Sequence, residues 1–234
     1  METASAQVPV WLSTLVSLIF FGGLAVFAFL LYERRRKGFE QLAKELGLEF
    51  YEHGRSSVSF LEGSTLASSE FWHGTPQVVR LLEGKIGNVK VQLFELQYVT
   101  DQTKGKTRGY SLTVAAFEFA DRTLPSFLLR PERWYHKIAL AFGGQDIDFP
   151  DSPRFSSRCR LQGGDEKALR EFFTLELRRF FENHPGRVVE GVGNHLFYFR
   201  PPRLLSYGAF RPGLVRALYD EGKNLLGLLQ LCKE

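Results

Sequence analysis

Apolar and polar positions follow three different rhythms along this chain, and each predicts a different element. Val8 to Tyr32 is one uncharged, apolar run, stopped by Glu33-Arg34-Arg35-Arg36-Lys37. At about 1.5 Å per residue it reaches roughly 37 Å, enough to cross a hydrocarbon core of about 30 Å. No Asp, Glu, Lys or Arg stands between Glu2 and Glu33. A cleaved leader fits poorly, because the start has no base and Phe27-Ala28-Phe29-Leu30-Leu31 offers no small-residue cleavage site. The run therefore predicts a transmembrane helix over about 8–32, inside an anchor of residues 1–36.

Beyond it the period becomes helical. Phe39, Leu42, Ala43 and Leu46 recur at i, i+3, i+4 and i+7, with Gly47 as a stop, so Lys37 to Gly47 predicts an amphipathic helix continuing out of the membrane. Leu48 to Tyr51 reads as a short strand, and Gly54 to Gly74 as irregular structure. From Gln77 to Phe119 the period is two. A turn is expected at Gly84-Lys85-Ile86-Gly87-Asn88, then Val89, Val91 and Leu93 alternate with Lys90 and Gln92. The apolar phase slips at Phe94, Leu96 and Tyr98, which a bulge or burial of both faces would explain. Thr100 to Arg108 reads as a basic loop, with Lys104, Lys106 and Arg108 at its tip, and Tyr110 to Phe119 returns antiparallel.

Phe127 to Leu129 predicts another strand, and Pro131-Glu132-Arg133 opens a predicted helix through Phe142. Phe155, Ser157, Cys159 and Leu161 predict one face of a strand. Leu169, Phe172, Phe173, Leu177, Phe180 and Phe181 predict a single helix over Glu166 to Glu182. Arg187 to Val192 and His195 to Phe199 flank Gly193-Asn194, a two-residue hairpin signal. A last helix runs from about Pro212 to Leu231. Hairpins mixed with helices, without βαβ alternation, predict an α+β fold with an antiparallel sheet and helices packed on one face. Residues 37–234 read as one domain, with Gly143 to Asp151 the best internal boundary.

Charge adds a direction. Four bases follow the span and none precedes it, so the positive-inside rule places residue 33 onward in the cytoplasm, N-terminus outside. Arg34, Arg35, Arg36 and Lys37 are the membrane-surface residues: they orient the helix, and each base near an anionic leaflet adds about 1 kcal/mol of attraction. Trp11 and Tyr32 suit the two interfaces. All 30 Lys and Arg, and 25 of the 26 acids, lie beyond residue 32. That mild excess, without a basic stripe carrying aromatics, disfavours nucleic acid. With 22 Phe the folded part should have an aromatic-rich core. Cys159 and Cys232 have no metal-type spacing and read as free thiols, Cys159 buried.

Chemistry is harder to find. Asp146-x-Asp148-x-x-Asp151 offers three carboxylates, but a calcium loop would need a Gly and a distal Glu that are not placed. Alternation with Ile147 and Phe149 favours a short strand with its acids in water. His53, His73, His136, His184 and His195 form no H-x-x-x-H or H-E-x-x-H pair. Gly109-Tyr110-Ser111 lacks the second Gly of a nucleophile elbow, Gly63-Ser64-Thr65 has no strand before it, and Gly191-Val192-Gly193 lacks a third Gly. No motif calls for a cofactor.

The layout resembles a group of bacterial membrane-anchored proteins of unknown function. The resemblance rests on the apolar N-terminus with its basic stop and on Leu42-Ala43-x-x-Leu46-Gly47-Leu48. Leu124-Pro125-x-Phe127-x-Leu129-x-Pro131-Glu132, Asp146-Ile147-Asp148-Phe149, Phe155-Ser156 and Val189-Glu190 complete it. It implies a bacterial inner-membrane location and no activity. The expectation is a non-enzymatic module binding the lipid bilayer and a protein or anionic-lipid partner. The rival is a membrane-bound enzyme whose pocket would gather His73, Asp146, Asp148 or His195, and a third reading is a domain that drives oligomerisation.

Overall fold

The structure, a computed structural model, describes residues 10–53, 58–68, 72, 74–99, 110–132, 146–201 and 210–231. The fold is α+β: an apolar N-terminal helix followed by an eight-stranded antiparallel sheet with helices.

Helix α1 (Val10–Leu46) is unbroken, so the amphipathic segment does continue directly from the apolar one. No proline falls inside it, and Arg34 to Lys37 are good helix formers. Its two halves have different surroundings. Side chains such as Phe20, Phe21, Phe27 and Phe29 are exposed, whereas Phe39, Leu42 and Ala43 are buried in the core. Gly47, in the left-handed region at φ 68°, turns the chain into β1 (Glu49–Tyr51).

The sheet order is β1-β2-β3-β4-β8-β7-β5-β6. Its first part is a meander of β2 (Thr75–Ile86), β3 (Val89–Val99) and β4 (Tyr110–Phe119). The turn between β2 and β3 is only Gly87-Asn88; Gly84, Lys85 and Ile86, expected in the turn, stay paired with β3. The second part joins β5 (Phe127–Pro131), β6 (Cys159–Gly163), β7 (Val188–Val192) and β8 (His195–Phe199). Strands from both sides of Gly143–Asp151 therefore share one sheet. The β7–β8 hairpin turns at Gly193 (φ 57°), as its sequence predicts, and wedges between β4 and β5. Leu124 N donates to Gly193 O at 2.7 Å and Phe119 N to Asn194 O at 2.9 Å, so the β4–β5 connection crosses this turn.

Each sheet face carries its own core. Leu82, Val91, Leu93, Ala115, Phe117, Leu129, Leu161 and Tyr198 point to the first face, beneath the helices. Leu81, Phe94, Leu96, Val114, Leu128, Phe197 and Phe199 point to the second, beneath Leu61, Leu66 and Trp72. The phase slip in β3 now has its cause. Alternation never breaks in β3; burial passes from the first face (Val89, Val91, Leu93) to the second (Phe94, Leu96, Tyr98). The bulge sits in its partner β2, between Val78 and Arg80.

Three predicted elements are corrected. Phe155 to Arg158 is helix α2 (Pro153–Arg158), not strand: Pro153 opens the helix, and the strand starts only at Cys159. Glu166 to Glu182 is two helices, α3 (Glu166–Phe172) and α4 (Leu175–Asn183), because Thr174 breaks the run and caps the second by accepting from Leu177 N. The helix expected to open at Pro131 does not open there: Pro131 is the last residue of β5 and Glu132 a turn, while the rest of that expected helix, Arg133 to Phe142, lies outside the described residues. So does the Thr100–Arg108 loop.

Helix α5 (Pro212–Leu231) matches its prediction and packs on α1, α4 and β4. A Cβ on Gly38 would lie 3.2 Å from Pro212 Cγ, so α1 and α5 meet there closely. Arg187 Nε, on β7's leading edge, donates to Glu221 Oε2 of α5 at 2.6 Å and to the Tyr198 hydroxyl at 3.1 Å. Tyr198 in turn donates to Glu221 at 2.7 Å, which closes a buried triangle between helix and sheet.

Candidate functional site

The point where α1 leaves its apolar half and enters the folded part gathers the basic residues singled out above. At the end of the apolar run the Tyr32 hydroxyl donates to Glu52, just after β1. One turn on, Arg35 Nη2 donates to Phe210 O at 2.6 Å. Arg36 Nε lies 3.5 Å from Glu33 and 3.8 Å from Glu40 on its own helix. Arg34 and Lys37 are exposed, whereas Arg35 and Arg36 are half-buried. The four bases thus divide: two face outward and two turn toward their own chain.

Beside Arg35 lies a polar patch at one end of the first face. There the row Leu82, Leu93 and Ala115 gives way to Arg80, Glu95 and Thr113. The Glu95 side chain is 3% exposed. It accepts from Arg80 Nη1 at 2.5 Å, from Ser111 Oγ at 2.7 Å and from Gln97 Nε2 at 3.2 Å. Arg35 is within electrostatic reach of Arg80, Glu95 and Arg211; burial and the two neighbouring guanidiniums lower its proton affinity, and Glu95 opposes them. Sequence reasoning missed Arg80 and Glu95. The one available signal was a carboxylate flanked by Phe94 and Leu96 inside a long strand.

A second buried carboxylate, Glu190, sits on the opposite face. It accepts from Thr65 N at 2.7 Å and from Thr65 Oγ1 at 2.7 Å. Trp72 Nε1 donates to Thr65 O at 2.9 Å, Tyr98 donates to Leu66 O at 2.8 Å, and the Trp72 and Tyr98 rings stack at 4.9 Å. Burial pushes the Glu190 carboxyl up to about 7 against the pull of its two Thr65 bonds. The segment around Thr65, irregular in sequence, is two 3₁₀ turns, Ser59–Leu61 and Thr65–Ala67, fastened over the second face.

The other candidates scatter. Asp146 accepts from Leu161 N at 3.1 Å, and Asp151 grips Arg178 in two bonds of 2.6 and 2.7 Å. Asp148 contributes its backbone O to Arg170. Ile147 and Phe149 are buried and Asp148 exposed, as the alternation predicts, but the segment is not a ladder strand. His195, 3.9 Å from Glu118, stands on β8, three strands from the β6 residue that Asp146 caps. At about 4.8 Å per strand that is roughly 14 Å, so one pocket does not gather them. His184 stacks on Phe180 and bonds its backbone O at 2.8 Å, His53 is exposed, and His73 and His136 lie outside the described residues. Cys159 is half-buried and its thiol is pushed up to about 11, chiefly by burial; Cys232 lies outside the described residues. A groove of about 200 Å³ beside Ser59, Phe60, Glu83 and Lys90 holds no such grouping either. Among the described residues no three His, Cys, Asp or Glu side chains converge as a metal site.

No protein-family profile matches the chain, and no curated protein matches it. Among solved structures, the mycobacterial trehalose monomycolate transport factor A, TtfA, aligns with 85% of this chain and 92% of its own, at 16% identity and a TM-score of 0.49. A likeness of this size carries neither an activity nor a ligand from one protein to the other.

Proposed function

We propose that this protein is a single-pass membrane-anchored module, non-enzymatic, whose folded part lies in the cytoplasm and binds a protein or lipid partner at the bilayer surface. One observation carries the reading: an unbroken helix exposes apolar side chains on every side up to Tyr32 and then buries Phe39, Leu42 and Ala43 in the sheet's core. Among the described residues it is the helix long and apolar enough to cross a membrane. The four bases after the span support a cytoplasmic folded part, and the resemblance noted above supports a bacterial inner membrane. Holding the folded part at a surface raises its effective concentration toward anything else held there, so a weak interface suffices.

Fractionation tests the first half. The full chain is expected to sediment with membranes, to resist carbonate and to dissolve in detergent; recovery in the supernatant defeats the reading. Protease added outside spheroplasts should spare the folded part, and digestion would reverse the sidedness. Cross-linking in membranes, followed by mass spectrometry, should recover one reproducible protein or lipid partner.

A further inference from the structure

We propose that the end of the meander where Thr75 pairs with Val99, and Tyr98 with Tyr110, rests in the headgroup layer of the bilayer that α1 spans. The inference rests on the anchored reading above and names its lipid-facing surface.

One turn and two contacts set the height of that end. Gly47 reverses the chain, so β1 runs back alongside α1 toward the span. On the way the Phe39 ring of α1 stacks on Phe50 of β1 with centroids 5.6 Å apart, and nearer the span the Tyr32 hydroxyl donates to Glu52. Tyr51 pairs antiparallel with Leu81, and Leu81 with Phe94, so β3 also runs toward the span. From Phe94 it continues for five residues to Val99, roughly 17 Å. From Phe39 to Tyr32 the helix covers only seven residues, roughly 10 Å. With α1 upright, the end of β3 passes the level of Tyr32 by roughly 5–10 Å, the smaller figure allowing for sheet twist. Tyr32 closes the apolar run, in the position of an interfacial aromatic. A strand end beyond that level enters the headgroup layer, which is about 5–8 Å thick on each side.

The distribution of charge is an independent observation in the same direction. Beyond the row of Arg80, Glu95 and Thr113, residues 75–79, 96–99 and 110–112 contain no Asp, Glu, Lys or Arg. The other end of the same strands carries Glu83, Lys85, Lys90 and Glu118. An uncharged end enters the interface without the desolvation cost of an ion, and the exposed Thr75 and Gln77 can bond to headgroups there. Such a contact needs no anionic lipid, unlike attraction through the exposed Arg34 and Lys37.

The full chain, carrying Cys159→Ala and Cys232→Ala, takes one fluorophore at Thr75→Cys or at Asn88→Cys. Both positions are exposed, and they lie at opposite ends of the β2–β3 hairpin, roughly 35 Å apart. Melting in detergent confirms that each labelled chain is folded. Each is reconstituted into phosphatidylcholine vesicles with or without phosphatidylcholine bearing a nitroxide on its headgroup. The Thr75 label is expected to lose about half of its emission or more, because label and quencher share one layer. The Asn88 label should lose little, and the difference should survive about 1 M salt. Equal quenching of the two labels, or none at either, would overturn the contact. So would a difference that vanishes in salt, which would assign the contact to charge. Flotation of the same vesicles separates the two readings. A chain left at the bottom of the gradient defeats the anchor and this inference with it, whereas a floating chain with an unquenched Thr75 label defeats this inference alone.

Discussion

Among the described residues no cation is bonded to Glu190; both its oxygens face one residue, Thr65. The folded carboxyl keeps its proton up to about 7, while an unfolded one loses it near the ordinary glutamate value of 4.5. Stability is therefore highest below the lower value and falls as pH rises through the upper one, by up to about 3 kcal/mol. Glu190→Gln copies the protonated form, since its amide N–H₂ can donate to the Thr65 hydroxyl. Denaturant melts of the full chain in detergent should show the wild type losing stability between pH 5 and pH 8. The variant should show little of that slope, and parallel curves would refute the assignment. Neither Glu190 nor Glu95 was legible as a buried group in the sequence. Each sits in an apolar strand segment, and period-two patterning assigns a lone charge there to the solvent side. Both faces of this sheet are covered, so neither charge has a solvent side to occupy. By contrast the exposure of Asp148 between buried Ile147 and Phe149 followed from their alternation, whereas the pairing of Asp151 with Arg178 did not.

At the scale of elements, α5 is fixed to the sheet by contact and by charge. A Cβ on Gly222 would sit 2.4 Å from Phe117 Cζ, at the tip of a buried, rigid ring. Gly222→Ala should destabilise the protein by about 1–3 kcal/mol through overpacking, despite alanine's better helix propensity. A rise in melting temperature would show that α5 can move away. Glu221 is held ionised below the usual carboxylate range by its bonds to Arg187 and Tyr198, which outweigh its burial. Glu221→Ala leaves Arg187 buried without its carboxylate and is expected to cost about 3–5 kcal/mol, with Glu221→Gln milder; equal melting of both would exclude the ion pair as the cause. Helix existence was legible here because Phe and Leu recur every three or four residues. Helix continuity was not: the apolar stripe runs straight past Thr174, whose local cap decides the break. Similarly, Phe155 falls on a period-two pattern with Leu161, but the proline two residues before it sets the backbone first.

Across the whole molecule, the Tyr32–Glu52 and Arg35–Phe210 bonds tie the apolar half of α1 to the folded part, one just before the basic turn and one within it. Tyr32→Cys with Glu52→Cys should therefore be bridged by a short thiol-specific cross-linker in native membranes. Peptide mapping would locate the bridge, and its absence would mean that the junction hinges. Inserting one alanine after Lys37 turns everything beyond it by about 100° relative to the span. That insertion should abolish the bridge while leaving membrane retention intact. The apolar N-terminal helix was the most legible element of the chain, since uninterrupted apolar character needs no tertiary context to interpret. Strand order was not legible, because the β7–β8 hairpin enters the sheet between strands made far earlier.

An unjointed stalk also governs how encounters happen. A globule on a slack tether tumbles and can meet a neighbour with any part of its surface. Carried on α1, it would drift sideways and spin about one axis only, always presenting the same flanks at the same altitude. Much of the rotational freedom that association normally removes is then already gone before two such bodies touch. A contact patch too small to hold freely diffusing molecules together would be enough.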